Sequence, residues 1–304
     1  MDQQIDPATT RKTASDFPQE LLDLFDGYVH GRTSRREFLD RAQKFATAGV
    51  TAAMLLEQLR PNYALANQVS ADDKRIHTDR ITIESPQGYG KVRGYFARPA
   101  GAAKAPTILV IHENRGLNPY IEDVARRLAI AGYIAYAPDG LTSLGGYPGD
   151  EEKASAMFSQ VNTPKMQEDF IASAKWLKAR ADGTGRLGVI GFCFGGTSTN
   201  NMAVRLGAEV SAAVPFYGTA PALADMAKIK APICAMFGAL DTRVTSTWPA
   251  YEAELTKQGI VHEAHIYEGA NHGFHNDTTP RYDQKAAEDA WSHAMAWFTK
   301  YLKA

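Results

Sequence analysis

Leu187-Gly-Val-Ile-Gly-Phe-Cys-Phe-Gly-Gly-Thr197 is the stretch that decides the fold. Its apolar start, Leu187 to Ile190, reads as a strand buried on both faces. Gly191-x-Cys193-x-Gly195 follows, then Gly196 and a helix-compatible segment from Thr197 to Arg205. This is the spacing of a nucleophile elbow, G-x-S-x-G, with cysteine in the serine's place. Such an elbow turns from strand to helix within about two residues and holds its central residue at strained backbone angles. The residues two positions either side must be small, because a Cβ there collides with the turn. The helix that begins at the elbow aims free N–H groups and its positive dipole end at the central residue, which favours a thiolate. The plain alternative is a glycine-rich turn carrying a buried cysteine. Placement between a strand and a helix favours the elbow, since the motif requires that context.

Outward from the elbow, buried strands alternate with helices. Arg80 to Ser85 and Lys91 to Arg98 flank Pro86-Gln-Gly-Tyr-Gly90 and read as a hairpin. Further strands are expected at Ala105–Ile111, Tyr133–Ala137, Arg186–Ile190, Ala212–Tyr217, Ala231–Gly238 and Val261–Tyr267. Helices are expected at Pro119–Ala131, Lys165–Ala181, Trp248–Gln258 and Arg281–Leu302, with a long glycine-rich loop from Pro138 to Asp150. The pattern predicts an α/β fold, a mostly parallel twisted sheet with helices on both faces. Ligands in such folds bind beyond the carboxyl ends of the strands.

Composition narrows the function. An apolar content of 44% in 304 residues supports a sizeable core. A net charge of -1 gives no electrostatic case for nucleic acid. Two cysteines, Cys193 and Cys234, exclude a disulfide scaffold. Cys234, in the apolar run Pro232 to Phe237, reads as inert core. No run of about 18 apolar residues is present, so no membrane span is expected.

Residues 1–78 differ from 79–304 and read as an N-terminal helical extension on the α/β unit. Met1 to Phe17 is polar and expected to be flexible. Leu21 to Tyr28 and Ser34 to Leu59 have helical periodicity, with Ser34 and Glu37 forming a capping box and Pro61 ending the second helix. Ser34-Arg35-Arg36-Glu37-Phe38-Leu39 also resembles a twin-arginine export signal, with Ala46 to Leu56 as its apolar segment and Ala64-Leu65-Ala66 as a cleavage site. Asp40, Arg41, Lys44 and Glu57 count against that. The expectation is a cytoplasmic protein whose extension packs on the catalytic unit or on a second subunit as a homodimer; the periplasm is the alternative.

Three further segments carry chemistry. Asp241 follows the strand ending at Gly238, and His272 follows the strand ending near Tyr267. Cys193, Asp241 and His272 therefore lie at successive strand ends in the order nucleophile, acid, histidine, which is that of α/β-hydrolases. Separately, Asp241 could be a cap and His272 one loop histidine among eight. His112-Glu113-Asn114-Arg115-Gly116-Leu117-Asn118 follows the strand Ile108 to Ile111. In α/β-hydrolases this loop and the residue after the nucleophile supply the oxyanion-hole amides, here Asn114 and Phe194. A carboxylate beside that hole would repel an oxyanion, so Glu113 should instead hold or accept the Cys193 proton. Its plain alternative is an ion pair with Arg115.

His112-Glu113 with Gly116-x-Asn118, the Gly-Phe-Cys-Phe-Gly-Gly elbow, Asp241 and His272 resemble the dienelactone hydrolase family from about Arg80 to Lys303. The resemblance implies an α/β-hydrolase fold, a Cys-His-Asp triad and a glutamate that moves as substrate binds, taking the thiol proton. It implies attack of Cys193 on a lactone or enol-ester carbonyl and hydrolysis of the acyl enzyme with His272, oriented by Asp241. No cofactor and no metal are implied. The best-known members carry a substrate-binding arginine four residues after the histidine, where this chain has Asn276. Arg115 and Arg281 are candidate replacements, since a guanidinium binds a carboxylate bidentately. A general short-chain esterase and a non-catalytic thiol-sensing protein on the same fold are the alternatives.

Overall fold

The structure is a computed structural model and describes residues 11–303. Residues 1–10, the larger part of the segment expected to be flexible, lie outside the described residues. The remainder of that segment, Arg11 to Phe17, departs from the expectation. It holds a 3-10 turn at Ala14–Asp16, and Phe17 is buried.

Three helices follow, α1 (Gln19–Val29), α2 (Arg35–Ala42) and α3 (Ala52–Leu59). The capping box stands as read: Ser34 Oγ accepts from the Glu37 N–H at 3.2 Å and Glu37 Oε2 from the Ser34 N–H at 2.8 Å. The single helix expected over Ser34–Leu59 is instead broken across Ala46–Thr51. Gly49 takes φ +91°, which stops helix propagation, and Thr51 caps the restart by accepting from the Met54 N–H at 3.3 Å. The three helices close their own apolar cluster around Phe25, Phe38 and Leu56. Among the described residues no helix is long and apolar enough to cross a membrane.

Next come β1 (Ile76–Ser85), β2 (Gly90–Pro99), β3 (Ala105–Ile111), α4 (Pro119–Ile130) and β4 (Ile134–Pro138). The chain continues through α5 (Glu151–Phe158), α6 (Thr163–Lys178), β5 (Gly183–Phe192), α7 (Phe194–Leu206) and β6 (Ala212–Phe216). It ends with β7 (Ile233–Gly238), α8 (Thr242–Thr245), α9 (Trp248–Lys257), β8 (His262–Tyr267) and α10 (Gln284–Leu302). The eight strands form one sheet in the order β1-β2-β4-β3-β5-β6-β7-β8. β1 and β2 join antiparallel, and every pair from β4 to β8 is parallel. Alternate residues of the central strands feed opposite layers: Ile108 and Ile190 face α4 and α10, and Leu109 and Val189 face α6, α7 and α9.

Two helices were not read from sequence, the single turn α8 and the longer α5. α5 buries only Ala154, so its apolar periodicity is faint; the available signal was the Asp150 cap, which accepts from the Lys153 N–H at 2.8 Å.

The extension's separate cluster leads to a prediction. Phe38 is fully buried and packs against Phe25 and Tyr28. Phe38→Ala should cost the extension about 3–5 kcal/mol. Hydrogen exchange should then show α1–α3 amides deprotected while the amides of the central strands keep their protection.

Candidate active site

The elbow is built from backbone contact. Cys193 sits at φ 57°, ψ -114° between β5 and α7, and its N–H donates to the Phe216 carbonyl at 3.1 Å. A Cβ on Gly191 would meet the Gly195 oxygen at 2.1 Å, and one on Gly195 would meet the Ile111 oxygen at 2.1 Å. Neither clash could be relieved by moving a side chain, so glycine is required at both positions. The cysteine is buried, with 7% of its surface exposed.

The two other residues read as its partners converge on it. Asp241 follows β7 and starts α8; His272 lies in the loop after β8. His272 Nδ1 lies 2.5 Å from Asp241 Oδ2, which fixes the ring. His272 Nε2 is buried with no hydrogen-bond partner. A ring nitrogen of His272, a ring nitrogen of His30 and the Cys193 sulfur all lie within 4.8 Å of one another.

His30 is the site residue that sequence reading missed. It caps the C-terminus of α1, and its Nε2 lies 3.3 Å from Cys193 Sγ. Its Nδ1 lies 2.8 Å from the Asp26 carbonyl and 3.2 Å from the Asp26 carboxylate. Burial works to lower the His30 pKa, but the Cys193 sulfur and the Asp26 carboxylate outweigh it, and the net shift is upward. Burial works to raise the Asp26 pKa. The His30 hydrogen bond and the charges of His272, His30 and Arg281 overcome that and hold it below the ordinary carboxylate range. The one signal in sequence was Asp26 and His30 at i, i+4 on a helix, a spacing common on surfaces.

Glu113 does not pair with Arg115. Its Oε2 accepts from Asn276 Nδ2 at 2.8 Å, so the position where an arginine was expected carries the amide that holds the glutamate. Burial raises the Glu113 pKa above its ordinary value, with Arg281, His272 and the Asn276 hydrogen bond opposing. Arg115 is buried, lies 3.5 Å from Glu151 and donates to the Val29 carbonyl at 3.2 Å. Arg281 is likewise buried, 3.4 Å from Asp26. The Nε of Arg281 is buried without a hydrogen-bond partner, whereas that of Arg115 makes the 3.5 Å ion pair with Glu151. Asn114 donates through Nδ2 to the Val29 carbonyl at 2.8 Å, so α1 is tied to the loop that follows β3.

A cavity of about 390 Å³ opens onto the sulfur, walled by Asn114, Phe194, Phe158, Thr219 and Val244. A smaller one of about 40 Å³ lies on the other side of Cys193 and His272, among Glu113, Arg281, Tyr63 and Phe25. Cys234 is remote from both: it is buried on β7, 3.4 Å from Glu263 of the neighbouring strand β8, and burial with that carboxylate raises its thiol pKa strongly. Among the described residues two groups have metal-ligand donor types in reach of one another, His30 with Cys193 and His272, and Cys234 with Glu263 and His265.

Comparison with known proteins gives two family matches. The model described as the dienelactone hydrolase family matches residues 92–302, and one described as YqhI-like matches residues 9–47. A protein of Methylorubrum extorquens, provisionally named carboxymethylenebutenolidase, is 31% identical over 269 residues, covering 82% of this chain and 92% of its own. A shorter one from Escherichia coli K12, named a hydrolase fragment, is 57% identical over 114 residues, 37% of this chain and 97% of its own. Among solved structures, a provisionally named dienelactone hydrolase from Klebsiella pneumoniae superposes with a TM-score of 0.65 at 28% identity, covering 74% of this chain and 99% of that one.

The buried carboxyl of Glu113 gives a pH prediction. Its pKa is raised in the folded state, so the folded protein binds the proton more tightly than the unfolded chain does. That contribution is present below the unfolded value, about 4.5, and is lost as pH rises through the folded value. Glu113→Gln should remove it. Urea unfolding at pH 5 and pH 7 should show wild type losing stability relative to the variant on going to pH 7; an unchanged difference would contradict the assignment.

Proposed function

The chain belongs to the dienelactone hydrolase family, and on that footing we propose that it hydrolyses lactones or carboxylic esters through Cys193, His272 and Asp241 with an acyl-enzyme intermediate. The observation that carries the reading is the convergence at Cys193. A cysteine strained at φ 57° on a helix N-terminus faces a histidine whose far nitrogen is held by Asp241 at 2.5 Å.

In this mechanism the Cys193 sulfur attacks the ester carbonyl. The backbone N–H groups of Asn114 and Phe194 take the oxyanion, and both residues line the cavity beside the sulfur. Collapse expels the alkoxide, which takes up the proton given up by the Cys193 thiol, and leaves a thioester on Cys193. Water then attacks that thioester while His272 Nε2 accepts its proton. The acid leaves, and the Cys193 thiolate together with the proton held on His272 restores the resting site. Asp241 holds the His272 ring and stabilises its charged form. Glu113 is a proton-handling group at the edge of the site, where burial pushes its pKa upward. Arg115 and Arg281 would bind a carboxylate on the substrate. The buried, unpartnered Nε of Arg281 supports this, because an unmatched guanidinium N–H is costly unless a ligand meets it.

Purified Cys193→Ala should retain its fold and lose p-nitrophenyl acetate hydrolysis to below a few per cent of wild type, a loss within the range for removing a nucleophile. Cys234→Ala should keep full turnover. Hydrolysis surviving in the first variant, or vanishing from a folded second one, would show that the two thiols are assigned wrongly.

A further inference from the structure

We propose that His30 and Asp26 form a second histidine–carboxylate dyad on Cys193, so that the nucleophile is served by two imidazoles and the N-terminal extension supplies a catalytic residue. This rests on the reading of Cys193 as nucleophile. His30 touches the reacting atom, with Nε2 3.3 Å from the sulfur. Its Nδ1 points at Asp26 as that of His272 points at Asp241. The two rings meet edge to face with centroids 4.7 Å apart.

The placement is fixed from several sides. Asp26 is held by Arg32 at 2.7 Å and by Arg281 at 3.4 Å. The last turn of α1 is tied down by Asn114 and Arg115, which both donate to the Val29 carbonyl. At its first turn, Gln19 donates to Asn271, the neighbour of His272, at 2.6 Å.

Two helix ends set the charge. His30 caps the C-terminus of α1 and Cys193 caps the N-terminus of α7. A helix C-terminus favours a cation and a helix N-terminus an anion, so the facing ends favour imidazolium on His30 and thiolate on Cys193. The other charged or titratable groups around this pair are His272, Asp26, Arg281, Arg115, Arg32, Glu113, Tyr217 and Arg243. Glu113, the acceptor that the family resemblance implies, is turned to Asn276.

The two dyads divide the proton transfers. At rest the thiol proton sits on His30. Thiolate attack forms the C–S bond, and the departing alkoxide takes the His30 proton as the C–O bond breaks. His272, neutral and with Nε2 free, then takes a proton from water as hydroxide adds to the thioester. Expulsion of the thiolate leaves the acid and a protonated His272. That proton passes to His30 and restores the resting pair, while the product acid loses its own proton to solvent.

The test is the pH dependence of Cys193 alkylation by iodoacetamide, with the modified peptide quantified by mass spectrometry. Wild type should react readily at pH 6. His30→Gln, which keeps a polar side chain but cannot carry the proton, should react about tenfold or more slowly at pH 6 and match wild type near pH 9.5. Asp26→Asn should fall between. Ester turnover by His30→Gln should drop by about tenfold or more. A rate that rises by one factor at every pH in His30→Gln would mean that His30 only covers the sulfur, and an unchanged profile would mean that it does nothing to the thiol; either overturns the proposal. Should His30→Gln fail to fold, wild type decides alone, since an unreactive Cys193 at pH 6 excludes the ion pair. Alkylation needs no ester, so an unsuitable substrate panel cannot mimic this failure. Hydrolysis persisting in Cys193→Ala would instead remove the underlying reading.

Discussion

The contact on which the site depends is the approach of backbone to backbone at the elbow. Gly195 lies against the carbonyl end of β3, and Gly191 lies against Gly195 itself. No side chain fits in either gap, so β5 can turn sharply into α7 and present residue 193 clear of the sheet. The strained angles of Cys193 are tolerated because the sheet on both sides determines them: β3 closes one side, and the Phe216 carbonyl of β6 accepts the Cys193 N–H on the other. Once that point is fixed, parallel order does the rest. β6, β7 and β8 follow in register, and the loops after β7 and β8 bring Asp241 and His272 to the same end of the sheet.

Much of this was legible in the chain because it is local. Buried strands announce themselves as apolar runs, and β3 spans the residues read for it, Ala105–Ile111. The elbow needs small residues at fixed spacing, which survives in any context. Asp241 and His272 could be placed because each follows a strand directly. What was not legible depends on distance. His30 meets Cys193 across 163 positions, and no periodicity in α1 marks it. Asn276 reads as a missing arginine until the fold shows its amide on Glu113. Arg281 could be named from sequence only as a candidate carboxylate binder, and the fold alone shows it buried between Asp26 and the smaller cavity. The break at Gly49 was hidden by helical periodicity on either side, which a left-handed glycine interrupts without disturbing the count.

The apolar residues of α1 to α3 close on one another, and only the segment after them, through Ala66, Val69 and Ile76, joins the main core. Polar contacts outward run through Gln19 to Asn271, Arg35 and Arg60 to Glu152, Tyr63 to Glu151 and Arg11 to Asp277. Several of these bonds are exposed and worth little singly. The buried ones, around Asp26, Arg115 and Arg281, are worth more and would leave unmatched charge if separated. Attachment is thus concentrated at the site, where the extension is also most specific in its chemistry.

The separation in sequence has a consequence for biogenesis. α1 leaves the ribosome early, whereas Cys193 emerges roughly 160 residues later and His272 about 80 after that, at a pace of about 5–20 residues per second. For many seconds the residues of the three helices are present without the surface they cover, with only their own cluster to bury them. Closing so long a loop is slow and entropically costly. The carboxyl end of the sheet is therefore completed late, and a nascent chain carries the segment that covers Cys193 well before Cys193 itself is made.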